Sequence, residues 1–240
     1  MSKTIKNSHG LMWPELIHGV LIKRYHRFLA DVKLTSGRVV TAHCPNSGTM
    51  KACSQPGRPV YLSVHDNPKR KLKYTWEMIN MPTSLVGVNT LVPNRLVKKS
   101  IEEGRVRQLR GYNHIKSEVK VSGASRLDLL LTKGENEKCF VEIKNCTLVE
   151  DGVAYFPDAV TVRGRKHLVE LQQLVLKGNR CAVFFLVQRM DAKAFTTADR
   201  IDPLYGKEFR KAKNNGVEVM VYDVVMDLKK IMLGKKISPF

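Results

Sequence analysis

The first third of the chain alternates short apolar runs with clusters of turn-forming residues. Ser-Gly, Asn-Ser-Gly, Gln-Pro-Gly and Asp-Asn-Pro clusters separate runs with the composition of β-strands. The runs lie at residues 19–23, 28–34, 39–43, 60–65 and 71–79. Five short strands so close together in sequence predict a small β-barrel of the OB type.

From residue 84 onward, helical periodicity alternates with strand-like apolar runs. The predicted elements are a helix at 95–103, strands at 117–121, 126–132 and 139–144, a helix at 165–177, a strand at 181–187, a helix at 204–214 and a strand at 217–225. This order is typical of a mixed sheet with helices on its faces. We therefore predict an α/β (mixed α+β) protein with an OB-like, five-stranded barrel domain over residues 1–83. A mixed-sheet domain over residues 84–240 follows it.

The net charge of the chain indicates which class of molecule it binds. The 240 residues include 41 Lys and Arg against 22 Asp and Glu, a net charge of +19. Such a charge attracts phosphates over a distance, which favours nucleic acid as the partner. A general excess of basic residues that only aids solubility is the simpler alternative. An anionic membrane surface is less favoured, because no amphipathic basic helix is evident.

The cysteines and the apolar runs predict where the protein acts. Five scattered cysteines without a Cys-x-x-Cys pair argue against a disulfide framework or a zinc finger. No apolar run approaches the roughly 20 residues that span a bilayer, and no secretory signal is visible. We expect a cytoplasmic protein with no membrane partner.

Two predicted strands carry charges at positions where buried strands are normally apolar. Asp128 lies in the strand at 126–132, and Glu142 and Lys144 lie in the strand at 139–144. Strand alternation places Glu142 and Lys144 on the same face, and the turn between the strands can bring Asp128 beside them. Buried charges are costly unless they are paired or bind a metal. The pattern predicts a divalent-cation site acting on a phosphodiester; a surface hairpin with one Glu–Lys ion pair is the alternative.

These strands belong to a longer series of motifs that resembles the sugar fermentation stimulation protein family. The motifs are LIKRY (21–25), RFLAD (27–31), HCPN (43–46), KRK (69–71), TWE (75–77), VNT (88–90), NRL (94–96), KSEVK (116–120), SRLDLLL (125–131), VEIKN (141–145), YFPDAV (155–160), RG (163–164) and KHL (166–168). The resemblance covers most of residues 16–225. It implies an N-terminal OB-fold domain and a C-terminal nuclease-like domain of the PD-(D/E)xK type.

In that nuclease pattern, Asp128 matches the aspartate, Glu142 the second acid and Lys144 the lysine. The family pattern usually has an acidic residue before Arg163-Gly164, where this chain has Val162. The resemblance implies either a metal-dependent nuclease or a DNA-binding regulator of sugar metabolism. It therefore leaves catalysis and binding as separate hypotheses.

The chemistry of a nuclease assigns roles to these residues. Small, hard cations prefer oxygen ligands, so Mg²⁺ or Mn²⁺ is the expected cofactor, held by Asp128, Glu142 and the carbonyl of Ile143. Lys144 would orient the attacking water or stabilise the developing negative charge, and a role as general base stays open. Glu118 is a further candidate catalytic carboxylate, with an exposed surface charge as its equal alternative.

Three basic stretches are the predicted nucleic-acid contacts. In the barrel, cations interleave with aromatic residues, as in OB folds that stack bases and follow the backbone; Phe28 and Trp76 are expected to fill the barrel. The predicted contacts there are Lys23, Arg24, Tyr25, Arg27, Lys69, Arg70 and Lys71. A phosphate would also explain the positive residues at the start of the long helix, where the alternative is a solvated basic turn. These are Arg163, Arg165, Lys166 and His167.

The sequence therefore predicts a metal-dependent nuclease that hydrolyses DNA, with RNA as the other candidate substrate. No recognition-helix pattern is evident, so binding is expected to lack sequence preference. The competing function is a non-catalytic DNA-binding regulator of sugar (maltose) metabolism genes that keeps the nuclease-like fold for binding.

Overall fold

A computed structural model describes residues 9–122 and 125–239 of the chain. The strands of this part are β1 Leu11–Met12, β2 Leu16–Tyr25, β3 Leu29–Leu34, β4 Val39–His43, β5 Pro59–Val64, β6 Tyr74–Asn80, β7 Leu85–Gly87, β8 His114–Ser122, β9 Ser125–Lys133, β10 Glu137–Cys146, β11 Leu148–Glu150, β12 Val153–Phe156, β13 Arg180–Val187, β14 Ala194–Thr197, β15 Glu218–Met226, β16 Lys230–Lys236 and β17 Ser238–Pro239. The helices are α1 Val92–Glu102, α2 Val162–Leu176 and α3 Pro203–Asn214.

The N-terminal part is a closed barrel, as predicted. Strands β2 to β6 pair in the order β4-β3-β2-β5-β6, and a parallel pairing of β4 with β6 closes the barrel. Leu21, Val32, Leu62 and Trp76 fill its interior. Phe28 was expected there too, but it is 47% exposed because it lies in the turn between β2 and β3.

Strand β7 extends the barrel sheet beyond β6. It begins at Leu85, after the predicted domain boundary between residues 83 and 84. Three residues are too few to show a strand period, which explains why β7 was not anticipated. The boundary itself stays a prediction.

The second part contains the predicted mixed sheet with helices on its faces. Seven strands follow the order β1-β16-β15-β13-β10-β9-β8, with β13 parallel to both β10 and β15. Strand β13 is apolar from Cys181 to Val187, because both of its faces are covered there. Phe184 and Leu186 pack into the core that contains α1, whereas Phe185 and Val187 pack into the core that contains α2 and α3.

A small second sheet was not predicted. Strands β11, β12, β14 and β17 form it, and each has only two to four residues. Such short segments carry too little alternation to stand out from loops. This sheet supports the segment at 157–161 that leads into α2.

The loop after β4 joins the two parts of the molecule. Thr49 Oγ1 donates to the backbone carbonyl of Asp158 at 2.9 Å, and the Met50 N–H donates to Asp158 Oδ2 at 3.1 Å. Asn46 Nδ2 donates to the carbonyl of Val88 at 3.1 Å. These contacts assign Asp158 to the junction between the barrel and the second part.

Two further features concern the cysteines and the membrane. All five cysteines are buried and carry free thiols. In residues 9–122 and 125–239, no helix has both the length and the apolar character needed to cross a bilayer.

Candidate active site

The predicted acids meet where the pairing of β9 with β10 ends. The last paired residues are Leu129 and Val141, so Asp128 and Glu142 are the next residues on the two strands. Instead of a further ladder bond, the Ile143 N–H donates to Asp128 Oδ2 at 2.7 Å. Two carboxylates therefore lie together at an open end of the sheet.

Helix α1 holds the second oxygen of Asp128. Asn94, in the first turn of α1, donates through Nδ2 to Asp128 Oδ1 at 2.8 Å. Burial, and then the negative charge of Glu142, raise the pKa of Asp128 to about 6, although the bonds from Ile143 and Asn94 act in the opposite direction. The raised pKa means that the nearby positive charge does not offset the cost of burying ionised Asp128 beside Glu142.

Glu142 is buried, and its two oxygens have very different surroundings. Oε1 accepts a hydrogen bond from Lys144 Nζ at 2.6 Å and shares a short hydrogen bond with His167 Nδ1. Burial acts to raise the pKa of Glu142, but the His167 hydrogen bond and the Lys144 charge outweigh it, and the pKa is lowered. Oε2 is buried and has no hydrogen-bond partner in the part of the chain that the structure describes.

A divalent cation fits this pair of acids. The partnerless oxygen of Glu142 and the raised pKa of Asp128 both mark a site short of positive charge. Among the described residues, no group of three or more His, Cys, Asp or Glu side chains is arranged to hold a metal. Backbone carbonyl and water oxygens would have to complete the coordination. Mg²⁺ usually keeps several of its waters when it binds to a protein.

Lys144 lies beside Glu142, as strand alternation predicted. Its Nζ is 2.6 Å from Glu142 Oε1 and 3.3 Å from His167 Nδ1, and 13% of its side chain is exposed. The ammonium group is therefore held in place while one side remains open to solvent. This arrangement suits a group that acts on a bound substrate.

His167 belongs to the acid cluster rather than to the surface. It was predicted as a nucleic-acid contact at the exposed start of a helix, but only 5% of it is accessible. Helix α2 starts earlier than predicted, at Val162, because the Thr161 side chain caps it by accepting the Gly164 N–H at 3.0 Å. His167 lies four residues before buried Leu171, so the helical period placed it on the inner face.

The other predicted contacts on α2 divide into two kinds. Arg163 and Lys166 are exposed and line a cavity of about 610 Å³ beside His167. Arg165 instead points to the buried carboxylate of Asp202, with Nη1 3.7 Å from Oδ1. Arg163 and Lys166 are therefore placed to meet a ligand, whereas Arg165 supports the fold.

Glu118 lies on the rim of the same cavity. Its side chain is exposed, and its backbone has a φ of 56°, which is rare for a residue other than glycine. The neighbouring pairs Ser117–Leu129 and Val119–Leu127 place Glu118 level with Asp128, although the two are not a ladder pair. Its catalytic role stays a prediction.

The predicted contacts in the β2–β3 hairpin serve different purposes. Arg24 donates to four backbone carbonyls, at distances from 2.8 to 3.1 Å, and so holds two loops together. The Tyr25 hydroxyl donates to Asp31, and Lys23 lies over the Tyr25 ring. Arg27 is exposed and lines a cavity of about 470 Å³ between the barrel and the segment at 155–161.

The second basic stretch of the barrel lies elsewhere. Lys69, Arg70 and Lys71 are exposed in the loop between β5 and β6. Arg70 points into a separate cavity, which it lines together with His43 and His65. The predicted contacts therefore do not form one continuous surface around the acids.

Comparisons with known proteins agree with this architecture. The model of the sugar fermentation stimulation protein RE domain matches residues 91–230, and the SfsA N-terminal OB domain model matches residues 22–88. This chain belongs to the sugar fermentation stimulation protein family. The acids, Lys144 and His167 lie within the RE-domain match, and the OB-domain match includes β3 and the end of β2 from Ile22.

Relatives in this family match nearly the whole chain. A sugar fermentation stimulation protein homolog of Geobacter sulfurreducens is 53% identical over 222 residues, covering 92% of this chain and 95% of the relative. A homolog of Geotalea daltonii is 50% identical over 226 residues, covering 94% and 97%. The structure of Pyrococcus furiosus SfsA in complex with Ca²⁺ superimposes with a TM-score of 0.89 at 26% identity, covering 97% of this chain and 99% of that one.

Proposed function

We propose that this protein is a nuclease that uses Mg²⁺ or Mn²⁺ to hydrolyse phosphodiester bonds of DNA, with RNA as the other candidate substrate. The observation that carries the proposal is the buried, partnerless oxygen of Glu142 next to Asp128, whose pKa is raised to about 6. The family relative from Pyrococcus furiosus, which was solved with Ca²⁺, supports a divalent cation. Asp128, Glu142 and the Ile143 carbonyl would hold the ion.

Each group in the cluster has a part in this chemistry. A bound Mg²⁺ or Mn²⁺ would supply a water of lowered pKa and neutralise phosphate charge. The ammonium group of Lys144 lies next to the acids, where it would stabilise negative charge that develops on the phosphate oxygens. His167 and Lys144 both contact Oε1 of Glu142, so they orient that carboxylate and leave Oε2 available.

Exposed cations near the acids account for substrate binding. Arg126, Arg163 and Lys166 line the 610 Å³ cavity, and Arg27 lines the 470 Å³ cavity on the barrel side. These side chains are suited to phosphate oxygens, which carry no sequence information. Binding is therefore expected to be largely independent of sequence and steeply weakened by salt.

Two observations favour the competing function, a non-catalytic DNA-binding regulator of sugar metabolism genes. Oε1 of Glu142 already contacts both Lys144 and His167, as in an ion-paired cluster that only supports the fold. Val162 also occupies the position where the family pattern usually has an acid. In this alternative, the basic surface still binds DNA but the cluster does not act on it.

A cleavage assay separates the two functions. Labelled single-stranded DNA, double-stranded DNA and RNA are incubated with the purified protein in Mg²⁺, in Mn²⁺ and in EDTA. We expect cleavage with metal only, and a loss of at least about 100-fold in Asp128→Ala. Glu135→Ala, in the exposed turn of the same hairpin, is the matched control and retains activity.

Two outcomes would contradict the nuclease. Nucleic acid that shifts on a gel but stays intact in both metals supports the regulator. Equal cleavage by the parent protein and Asp128→Ala would place the activity outside this cluster. The cytoplasmic location stays a prediction that this assay does not address.

A further inference from the structure

A further polar cavity lies between the barrel and the start of helix α1, and its lining does not include the paired acids. It has a volume of about 490 Å³. Its polar lining includes His43, His65, Arg70, Glu77 and Arg95. We call it the junction cavity, because β4, β6 and the loop between β5 and β6 form one wall and the start of α1 forms another.

The lining of the junction cavity holds two arginines and one acid, Glu77. No ion pair in residues 9–122 or 125–239 involves Arg70 or Arg95. Glu77 is the acid that shares the lining, and its oxygens are already occupied. Oε1 accepts from Ser63 Oγ at 2.7 Å, and Oε2 accepts from Asn89 Nδ2 at 2.7 Å. Both donors are neutral groups, so the lining holds two guanidinium groups against one carboxylate.

Hydrogen bonds hold part of this cluster in place. Arg70 Nη2 donates to Thr75 Oγ1 at 3.0 Å, and His65 Nε2 lies 3.0 Å from the same hydroxyl. Burial, and then the charge of Arg70, lower the pKa of His65 and of His43. At His65 the charges of Glu77 and Asp66 act in the opposite direction, so the pKa is lowered mainly by burial, with the charge of Arg70 adding to it.

The remaining wall of the cavity is apolar. Met12 and Leu91 are 60% and 64% exposed, and Trp13 is half-buried, with its Nε1 donating to the Asp227 carbonyl at 2.9 Å. A flat aromatic ring held by such a bond can pack against a base or a sugar. The cavity thus combines a positive wall with an apolar wall, which suits a nucleotide better than an inorganic anion alone.

Helix α1 connects this cavity to the acids. Arg95 lines the junction cavity, and the preceding residue, Asn94, donates to Asp128. No acidic residue lies in the first turn of α1, and no side chain caps it. The first turn of α1 therefore adds no acidic side chain to the cavity, and the acid in the lining is Glu77 of the barrel.

We infer that the junction cavity binds the phosphate group of a nucleotide, with Arg70 and Arg95 pairing with the phosphate and Trp13 packing against the base or sugar. The phosphate belongs either to a free nucleotide or to the end of a nucleic-acid strand. This site does not depend on the proposed cleavage, because it requires neither the metal nor Glu142.

Calorimetric titration of the metal-free protein tests this site. The probes are inorganic phosphate, adenosine 5′-monophosphate, and a short oligothymidylate with or without a 5′-phosphate. We expect adenosine monophosphate to bind more tightly than phosphate, and Arg70→Gln and Arg95→Gln each to weaken both by about tenfold or more. Lys33→Gln, which removes an exposed charge on β3 away from the cavity, changes binding less than about twofold.

The two oligonucleotides distinguish the sources of the phosphate. Tighter binding of the 5′-phosphorylated strand, lost in Arg95→Gln, assigns the site to strand ends. Binding of the mononucleotide with no effect of the 5′-phosphate assigns it to free nucleotides. Because Arg95 is exposed on α1, its variant tests the site even if Arg70→Gln does not fold.

Three results would overturn the inference. One is the absence of binding of phosphate and adenosine monophosphate, with no effect of the 5′-phosphate. Another is an equal loss of binding in Lys33→Gln and Arg95→Gln. The third is an unchanged NMR resonance of His65 when the mononucleotide saturates the protein.

Discussion

Glu77 in the barrel and Glu142 in the seven-stranded sheet are both buried carboxylates, but their partners differ. Neutral donors occupy both oxygens of Glu77, namely Ser63 and Asn89. Glu142 has Lys144 and His167 on one oxygen, and its other oxygen has no partner within the described part of the chain. A fully bonded carboxylate supports a fold, whereas a half-bonded one next to a second acid has capacity left for a ligand.

The largest expected effect comes from exchanging each of the two glutamates for glutamine. Glu142→Gln should reduce metal-dependent cleavage by at least about 100-fold, because it removes a charged ligand. Glu77→Gln should leave cleavage within a few-fold and cost about 1–3 kcal/mol of unfolding free energy, because a neutral amide replaces an acceptor of two hydrogen bonds. The cleavage rate and the free energy of unfolding are measured for both variants. Similar cleavage rates in the two would show that Glu142 has no catalytic role that Glu77 lacks.

A smaller loss of cleavage is expected when His167 is replaced. Removing its contact with Glu142 in His167→Ala should lower cleavage by about 10- to 100-fold, as for other groups that orient a metal ligand. His167→Gln keeps a polar group at that position and should recover part of the rate. A phosphate-binding role would instead raise KM with little change in kcat, so the two constants measured separately decide between the roles.

Asp128 gives a prediction for stability against pH. Its pKa is raised in the folded protein to about 6, so its favourable contribution is present below about pH 4 and is lost as pH rises through about 6. In metal-free protein, Asp128→Asn should therefore be more stable than the parent by about 1–3 kcal/mol near pH 8, with a smaller gain near pH 4. Urea denaturation at both pH values measures the difference, and an equal gain at both would contradict the raised pKa.

Ionised Asp128 should destabilise the metal-free protein, whereas a metal bound to Asp128 should stabilise the folded protein. Mn²⁺ binding to the folded protein should raise the melting temperature of the parent, and raise it much less in Asp128→Asn. Glu135→Ala should respond like the parent. An equal shift in all three proteins would place the ion elsewhere.

The smallest expected effect concerns Arg163 and Lys166, the exposed cations that line the 610 Å³ cavity. Arg163→Gln combined with Lys166→Gln should reduce the salt dependence of double-stranded DNA binding by about two units of slope, since each phosphate contact contributes about 0.9. Arg165→Gln should leave this slope unchanged, because Arg165 pairs with Asp202. Fluorescence anisotropy over a series of salt concentrations checks both variants.

Local patterns were sufficient for much of the fold. The barrel strands followed from strong alternation between clear turn residues, and the major elements of the second part followed from helical and apolar periods. The small sheet of β11, β12, β14 and β17 was not predicted, because its strands are short and two of its pairings, β12–β14 and β14–β17, join segments that are distant in sequence. Phe28 was misplaced since its side chain lies in a turn, where strand alternation no longer applies.

The sequence by itself determined that Glu142 and Lys144 share a face, because the period of a strand is a local property of the backbone. It also placed Asp128 one short hairpin away. Only the tertiary structure decided the partners of these acids. Asn94 lies 34 residues from Asp128, and His167 lies 25 residues from Glu142. Their contacts depend on how α1 and α2 pack on opposite faces of the sheet, which no local period specifies.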